Sequence, residues 1–357
     1  MARYDTLSRL DAQSLSACDM IIDARSPAEF AEDHLPGAVN LPVLGDAERA
    51  EIGTLYAQVS PFEARRKGAA LVARNVADHL QTALADKSKG FKPVVYCWRG
   101  GMRSNSFATI LASVGWRACV VEGGYRTWRR TVIDGIAAAA PRLNLIVVDG
   151  QTGAGKTVLL HRLAERGEQV IDLEGLAAHR GSAFGAEPGR VQPSQKAFET
   201  GLWTAMEGFD VDRPVFIEAE SALIGRRRVP APLWDAMKAA PRVEVRVPAK
   251  ARAAHTLETY PDMIADLDRV EQALDRLVPL HGKATIAEWR TLAEAGDFHA
   301  FAEALIAGHY DPAYTRARKR RKGAPAAVAE AERLDAAGLA RLADQLIDAA
   351  RRIGRAQ

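Results

Sequence analysis

A glycine-rich octapeptide, GQTGAGKT at 150–157, most constrains how this chain can fold. It matches the pattern G-x-x-x-x-G-K-[ST] in full and lies between an apolar stretch, LIVVD, and an amphipathic stretch, TVLLHRLAERG. In this strand–loop–helix setting the glycines let backbone N–H groups face a phosphate, while Lys156 reaches the terminal phosphates and Thr157 suits Mg²⁺. The sequence therefore predicts a P-loop formed by Gly150, Gly153, Ala154, Gly155, Lys156 and Thr157.

The ligand of this P-loop stays open at the level of sequence. A nucleotide is the usual ligand, but any diphosphate satisfies the same donors, and we find no nucleoside-reading motif of the ordinary kinase type. A P-loop also needs an acidic partner at the end of a later strand, and VIDLEG and VFIEAES supply four candidates. Each of them could equally be a helix cap or a solvated carboxylate. The candidates are Asp172, Glu174, Glu218 and Glu220.

Short apolar runs alternate with helical patterns on both sides of the P-loop, which predicts an α/β fold with parallel sheets. Strands are expected at 20–25, 92–98, 117–124, 169–177, 213–221 and 242–248, and helices at 26–35, 61–86 and 104–115. The pattern after about residue 250 is helical, and Leu339, Leu342, Leu346, Ala350 and Ile353 share one face of an amphipathic helix. We therefore predict a parallel-sheet domain at 1–133, a connector at 134–142, a P-loop domain with a helical part at 143–322, and a C-terminal amphipathic helix at 323–357.

A cysteine occupies the mouth of a second loop, in VVYCWRGGMRS at 94–104. The positive end of the following helix, inward backbone N–H groups and nearby arginines all favour the thiolate of Cys97 and the binding of an anion. We predict an anion-binding loop formed by Trp98, Arg99, Gly100, Gly101 and Arg103. The alternative is an ordinary cysteine at a strand end, which is the interpretation we favour for Cys18 and Cys119.

Composition excludes several classes of protein. The chain has 357 residues, three cysteines and a formal net charge of only +3. The cysteines are too few and too scattered for a disulfide framework or a zinc site, and a reduced cytoplasmic setting fits them best. The N-terminal residues lack the apolar core of a signal peptide, and no apolar run approaches the length of a membrane span.

Two basic clusters, RRR at 226–228 and RARKRRK at 316–322, indicate local contact with nucleic acid. The second cluster follows two tyrosines, and cations beside aromatic rings are suited to a folded RNA. Solvated charge on a helix is the alternative. The candidate contacts are Arg226, Arg227, Tyr310, Tyr314, Arg316, Arg318, Lys319 and Arg320.

The order of DARSPAEFAEDHLPGAVNLP, VVYCWRGGMRS and VEGGYRTWR resembles that of rhodanese domains over residues 5–130. The resemblance implies that Cys97 carries a persulfide or a related species. The loop from Cys97 to Arg103 has seven residues, whereas simple rhodaneses usually have six. We expect the larger loop to form a wider anion pocket that favours a bulkier group than sulfane sulfur.

Taken with GQTGAGKT, DLEGLAAHRGSAFG, QPSQKAFE, IEAES and HYDPAYTR, this order resembles the tRNA 2-selenouridine synthase family over residues 5–322. The resemblance implies that wobble 2-thiouridine in tRNA is first S-geranylated from geranyl diphosphate and then receives selenium from selenophosphate. It implies that Cys97 handles selenium. We infer that Arg99 and Arg103 hold selenophosphate and that the P-loop holds the diphosphate of geranyl diphosphate, with a tRNA phosphate or a nucleotide as alternative ligands of the P-loop. Further candidate contacts to substrate or tRNA are His179, Arg180, Ser182, Gln192, Ser194, Gln195 and Lys196.

We expect neither a tightly bound cofactor nor a membrane partner, and Mg²⁺ is an optional metal. Two other functions remain open from the residues alone. One is a persulfide sulfurtransferase with an accessory ATP-hydrolysing P-loop domain. The other is a non-catalytic RNA-binding protein, against which the intact Cys97 and the intact P-loop both argue.

Overall fold

The computed structural model describes residues 4–180, 189–259, 261, 266–320 and 323–355. The chain divides into two compact units, Met1–Gly135 with Pro193–Thr204, and Ile136–Gln192 with Ala205–Gln357. Each unit is built on a five-stranded sheet in which the paired strands are parallel. The predicted α/β class with parallel sheets is confirmed.

The sheet of the N-terminal unit has the strand order β1-β5-β4-β2-β3. Its strands are β1 Asp5–Leu7, β2 Met20–Asp23, β3 Ala38–Asn40, β4 Pro93–Tyr96 and β5 Cys119–Val121. Its helices are α1 Ala12–Ser16, α2 Pro27–Glu32, α3 Asp46–Gln58, α4 Pro61–Gln81 and α5 Met102–Val114, and α6 Tyr125–Ala139 begins within it. All four residues of the central strand β4 are buried, as expected for a parallel strand covered on both faces.

Local signals explain where the helices of this unit begin and also why one was missed. Helix α2 starts with Pro27 behind a capping box in which Ser26 and Glu29 each bond the other's backbone N–H. Helix α3 was not predicted, and none of its residues is buried, so it lacks the apolar stripe that identifies a helix in a sequence.

The segment 134–142, which we predicted as a connector, is helical. Helix α6 continues through the alanine run to Ala139, and a 3₁₀ turn follows at Ala140–Arg142. Alanine has the highest helix propensity, Gly135 is tolerated within the helix, and the one proline of this segment is Pro141.

The sheet of the second unit has the strand order β12-β11-β6-β8-β7. Its strands are β6 Asn144–Gly150, β7 Gln169–Ile171, β8 Pro214–Glu218, β11 Arg242–Arg246 and β12 Ala327–Glu330, and a hairpin joins β9 Leu223–Ile224 to β10 Arg227–Arg228. Its helices are α7 Lys156–Glu165, α8 Leu173–Ala177, α10 Ala231–Ala239, α11 Ala249–Thr259, α12 Leu267–Glu294, α13 Phe298–Leu305, α14 Asp311–Arg320 and α15 Ala336–Gly354. A π-turn, Ile306–Tyr310, joins α13 to α14, and α12 is kinked at Gly282.

The strand predicted at 169–177 is only three residues long. Asp172 caps the following helix α8 by accepting a hydrogen bond from the N–H of Gly175, which ends the strand after Ile171. The basic cluster at 226–228 does not lie on a helix, which was the alternative to nucleic-acid contact, because Arg227 and Arg228 form strand β10.

The last segment of the chain belongs to the core of the second unit. Strand β12 pairs with β11, although helix alone was predicted beyond residue 250. The predicted amphipathic helix is present as α15, and Leu339, Leu342 and Leu346 pack in one cluster with residues of α7, the helix that follows the P-loop. Each buried leucine contributes about 1.5–3 kcal/mol, so this segment helps to hold the P-loop helix on the sheet.

The segment 193–204 joins the N-terminal unit, whereas the boundaries drawn from sequence gave it to the P-loop domain. It contains most of helix α9, Gln195–Met206. Ser194 donates a hydrogen bond to the carbonyl of Glu32, Lys196 pairs with the carboxylate of Glu32, and the hydroxyl of Thr200 donates to Asp33 over 3.0 Å. Contacts between residues more than 160 positions apart are invisible to a local pattern.

Candidate active sites

Cys97 lies directly after strand β4 and is almost completely buried, with 3% of its surface exposed. Its Sγ lies 3.2 Å from the Oγ of Ser104 and 4.0 Å from the carbonyl oxygen of Gly101. Ser104 is the third residue of helix α5, so its side chain faces back toward the loop. Sequence reasoning missed Ser104, and its only signal was this position in the first turn after the loop.

The backbone of the cysteine loop is held against the start of helix α6. The N–H of Tyr125 donates to the carbonyl of Cys97 over 2.8 Å, and the N–H of Arg126 donates to the carbonyl of Trp98 over 3.2 Å. Gly124 has a φ of +63°, and a Cβ on it would lie 2.2 Å from the carbonyl oxygen of Cys97. Only glycine fits there, so the close approach fixes the loop.

The two arginines of the loop have different surroundings. Arg99 is exposed. Arg103 donates to the carboxylate of Glu29 over 2.7 Å. Burial opposes ionisation of Glu29, but the charge and hydrogen bonds of Arg103, with help from Ser26 and Arg49, lower its pKa to about 2. Arg103 is therefore charge-paired, whereas Arg99 has its side chain in solvent.

The P-loop occupies the predicted turn between strand β6 and helix α7. Gly153 and Gly155 have positive φ values of +80° and +74°. A Cβ on Gly153 would lie 2.7 Å from the Oγ1 of Thr256, because helix α11 packs against the loop. The ammonium of Lys156 donates to the carbonyl of Gly150 over 3.1 Å, so it lies across the concave side of the loop. Ala154 is buried beneath the turn.

Among the four acidic candidates, Glu174 is the one that contacts the P-loop threonine. The hydroxyl of Thr157 donates to Glu174 Oε2 over 2.8 Å, and the N–H of Glu174 donates to Glu218 Oε1 over the same distance. Glu220 interacts with Glu174, whereas Asp172 caps helix α8 and pairs with His161. Glu174, Glu218 and Glu220 therefore lie close together beside Thr157, whereas Asp172 caps helix α8.

These glutamates repel each other's negative charge in a buried setting. Burial and then the charge of Glu220 raise the pKa of Glu174 to about 7. Glu218 is fully buried, and burial followed by the charge of Asp172 raises its pKa well above the ordinary value. The site is therefore one where an added cation is favourable.

We expect Glu174→Gln to stabilise the protein at alkaline pH. The pKa of Glu174 in the folded protein is about 7, above the ordinary 4.5. Between pH 4.5 and about pH 7 the folded chain therefore keeps a proton on Glu174 that the unfolded chain has released. Stability therefore falls as pH rises through this window, by up to about 3 kcal/mol. Urea unfolding at about pH 5 and about pH 8 measures the difference. Glu165→Gln, at an exposed carboxylate on α7, is the control, and an identical pH dependence for both variants would contradict the prediction.

Arg252 on α11 is a structural residue of this site that the sequence did not reveal. It is 2% exposed, and its guanidinium donates to the carbonyl of Thr152 over 3.0 Å and to both carboxylate oxygens of Asp311. A single cation therefore ties the P-loop to the first residue of α14. No local pattern distinguishes this arginine from its exposed neighbours.

We expect Arg252→Ala to lower the free energy of unfolding by about 3 kcal/mol, because a buried, bidentate ion pair loses one partner. Arg290→Ala is the matched control, since Arg290 pairs with Glu271 and Asp275 at the surface and should cost less than about 1 kcal/mol. Urea unfolding of the two variants compares these costs. Equal losses would show that Arg252 does not hold the P-loop.

The remaining candidate contacts fall in separate places. Gln192 donates to the carbonyls of Ala177 and Ile224 and accepts from the N–H of Arg226, so it ties the β9–β10 hairpin to α8. A Cβ on Gly225 would lie 2.7 Å from the ring of His179, so His179 lies at the same hairpin. Arg180 follows His179 directly, and Ser182 lies outside the described residues.

The described residues of the second basic cluster, 316–320, lie on helix α14. Tyr310 packs against His309, and Tyr314 lies in the first turns of the helix. Arg318 pairs with Glu244 over 3.0 Å, whereas Arg316 and Lys319 are exposed. The side chain of Arg320 lies outside the described part of the structure. Ser194 and Lys196 instead contact Glu32 in the N-terminal unit.

Within the described ranges, no group of three or more His, Cys, Asp or Glu residues could hold a metal ion. Across the same ranges, no helix is both long and apolar enough to span a membrane.

The fold and the two sites define a class of enzyme in which a rhodanese-like cysteine loop and a P-loop domain share one chain. Residues 6–131 match the family model described as a rhodanese-like domain, and residues 143–277 match the one described as a tRNA 2-selenouridine synthase AAA domain. The chain is 33% identical to the tRNA 2-selenouridine synthase of Alcanivorax borkumensis, over 85% of this chain and 90% of that protein.

Two further relatives have the same name. The tRNA 2-selenouridine synthase of Cupriavidus necator is 34% identical over 85% of this chain and 89% of that protein, and that of Aeromonas salmonicida is 40% identical over 67% and 64%. The chain belongs to the tRNA 2-selenouridine synthase family.

Proposed function

We propose that this enzyme converts 2-thiouridine at the wobble position of tRNA to 2-selenouridine in two steps. In the first step, the sulfur on C2 attacks the first carbon of geranyl diphosphate. A C–S bond forms, a C–O bond breaks, diphosphate leaves and the proton on N3 is released. Alkylation makes the sulfur a good leaving group and C2 an electrophile.

In the second step, the selenium of selenophosphate attacks C2 and geranylthiol leaves. The thiol of Cys97 gives its proton to the departing sulfur and takes up the proton of the selenophosphate. Water then cleaves the Se–P bond, which releases phosphate and leaves selenium on C2 with a proton on N3. The two reaction steps need no oxidant or reductant. The base has to leave its stack to react, and this costs little in an anticodon loop, where the base is already unpaired.

The observation that carries this proposal is the presence in one chain of two glycine-containing loops, each of which lies between a parallel strand and the start of a helix. Cys97 opens a loop that leads into the N-terminus of helix α5 and carries Arg99 at the surface, which supports the assignment of this loop to selenophosphate. Lys156 and Thr157 lie in a P-loop, which supports its assignment to the diphosphate of geranyl diphosphate.

The residues around Thr157 also suit Mg²⁺. A hydroxyl and a carboxylate from Glu174 are hard oxygen ligands, and Mg²⁺ commonly takes one or two protein ligands together with substrate phosphates. When bound, Mg²⁺ would neutralise the charge of the diphosphate leaving group. The cation would also favour ionisation of Glu174. We place the reaction in the cytoplasm, where thiols stay reduced.

Mass-spectrometric nucleoside analysis tests the proposal. The purified enzyme is incubated with 2-thiouridine tRNA, geranyl diphosphate and selenophosphate, and with each donor omitted in turn. We expect the geranylated nucleoside without selenophosphate and 2-selenouridine with both donors. Unchanged 2-thiouridine in every reaction would refute it. ATP turnover coupled to persulfide transfer would instead favour the sulfurtransferase.

A further inference from the structure

A pocket of about 330 Å³ lies beside the cysteine loop, within the N-terminal unit. Its wall combines two aromatic rings with four cations: Trp98, Tyr125, Arg126, Arg129, Arg130 and Lys196. Ile133 and Asp134 complete it. Trp98 directly follows Cys97 in the chain, so the pocket lies beside the cysteine loop.

The cations of the pocket divide into two paired and two available groups. Arg129 pairs with Glu199, and Lys196 pairs with Glu32. Arg126 and Arg130 are both exposed, and among the described residues neither side chain has an ion pair. They lie four residues apart on α6, on the face that also carries Arg129 and Ile133, so both guanidinium groups point to the same side. Asp134 is the one acidic residue in the wall, which leaves the pocket positively charged.

The aromatic part of the pocket is held firmly relative to Cys97. Tyr125 is 1% exposed, its hydroxyl donates to Asp33 over 2.7 Å, and the guanidinium of Arg25 lies 4.1 Å from its ring centre. The half-buried ring of Trp98 packs on Tyr125 with a centroid distance of 5.2 Å. Because the N–H of Tyr125 also donates to the carbonyl of Cys97, the aromatic surface has a fixed position relative to the cysteine loop.

We propose that this pocket binds the anticodon loop, with a nucleotide adjacent to the reacting base stacked on Trp98 and backbone phosphates held by Arg126 and Arg130. The inference rests on the proposed function, in which tRNA is the substrate. Aromatic rings beside unpaired cations are the means by which proteins hold single-stranded RNA. The S-geranyl group on tRNA is uncharged, so it would use the rings but not the two arginines, and the diphosphate of free geranyl diphosphate is assigned to the P-loop.

Salt-dependent binding tests the phosphate contacts. Full-length wild type and the double variant Arg126→Ala/Arg130→Ala are titrated with a fluorescent 2-thiouridine anticodon stem-loop at several salt concentrations. Loss of two phosphate contacts should reduce the slope of log Kd against log salt by about 1.4. The control is Arg65→Ala/Arg117→Ala, which removes two exposed charges of the same unit away from the pocket. Equal slopes for the two double variants would overturn the inference, whereas no stem-loop binding by wild type would overturn the proposed function itself.

Trp98 variants test the stacking contact. We expect Trp98→Ala to weaken stem-loop binding about tenfold and Trp98→Phe to retain most of it, since stacking needs only an aromatic face. Thermal melting establishes that both variants fold. If Trp98→Ala binds the stem-loop like wild type and loses only turnover of the S-geranylated stem-loop, the pocket holds the terpenyl chain and the inference is wrong.

Discussion

Cys97→Ala should accumulate the S-geranylated nucleoside and form no detectable 2-selenouridine. Removing a group that acts directly in a reaction typically lowers kcat by about 10³- to 10⁶-fold. Geranylation should continue at the wild-type rate, because we assign it to the P-loop. Truncating this small buried side chain costs only about 1 kcal/mol of stability, so loss of folding would not explain the result. Nucleoside mass spectrometry of reactions with both donors measures the two products separately.

The other two thiols provide matched controls for Cys97. Burial raises the pKa of both Cys18 and Cys119, and both residues are partly exposed. Cys119 is the first residue of strand β5 and Cys18 precedes strand β2, whereas Cys97 follows the end of strand β4. Cys119→Ala should retain both products. Equal loss of geranylation and selenation in Cys97→Ala would contradict the assignment of Cys97 to the selenium step alone.

Local motifs predicted where both loops lie. The octapeptide at 150–157 and the segment around Cys97 are contiguous, and each contains its own strand end, glycines and helix start. The glycine conformations at Gly153 and Gly155 follow directly from the motif. A contiguous loop brings its functional groups together through local backbone geometry, so its site can be predicted without knowledge of the rest of the fold.

Residues supplied by other elements could not be chosen in this way. Four carboxylates were equivalent candidates in the sequence, and only packing of α8 against the P-loop helix selects Glu174 as the partner of Thr157. Arg252 and the Arg126–Arg130 pair had no motif, because their roles depend on contacts with distant residues or on a shared face. Likewise, strand β12 is identified by its pairing with β11 and not by its alanine-rich sequence.

Lys156→Ala should have the opposite effect to Cys97→Ala and stop the reaction before geranylation. In our assignment its ammonium binds the diphosphate as negative charge develops on the leaving group. Loss of such a contact costs about 3–4 kcal/mol, which is a fall of about 100- to 1,000-fold in kcat/KM for geranyl transfer. A chemically geranylated stem-loop bypasses this step, so Lys156→Ala should convert it to 2-selenouridine at the wild-type rate.

Arg162→Ala is the control for charge on the same helix, because Arg162 is a surface residue paired with Glu165 and should leave both steps intact. Unchanged geranyl transfer in Lys156→Ala would contradict the assignment of geranyl diphosphate to the P-loop. If instead Lys156→Ala failed equally with the geranylated stem-loop, the P-loop would act in both steps, for instance by holding a tRNA phosphate. Cys97→Ala and Lys156→Ala together therefore assign each loop to its own step. Cys97→Ala should stop at the geranylated base, whereas Lys156→Ala should stop at 2-thiouridine and be rescued by the geranylated stem-loop.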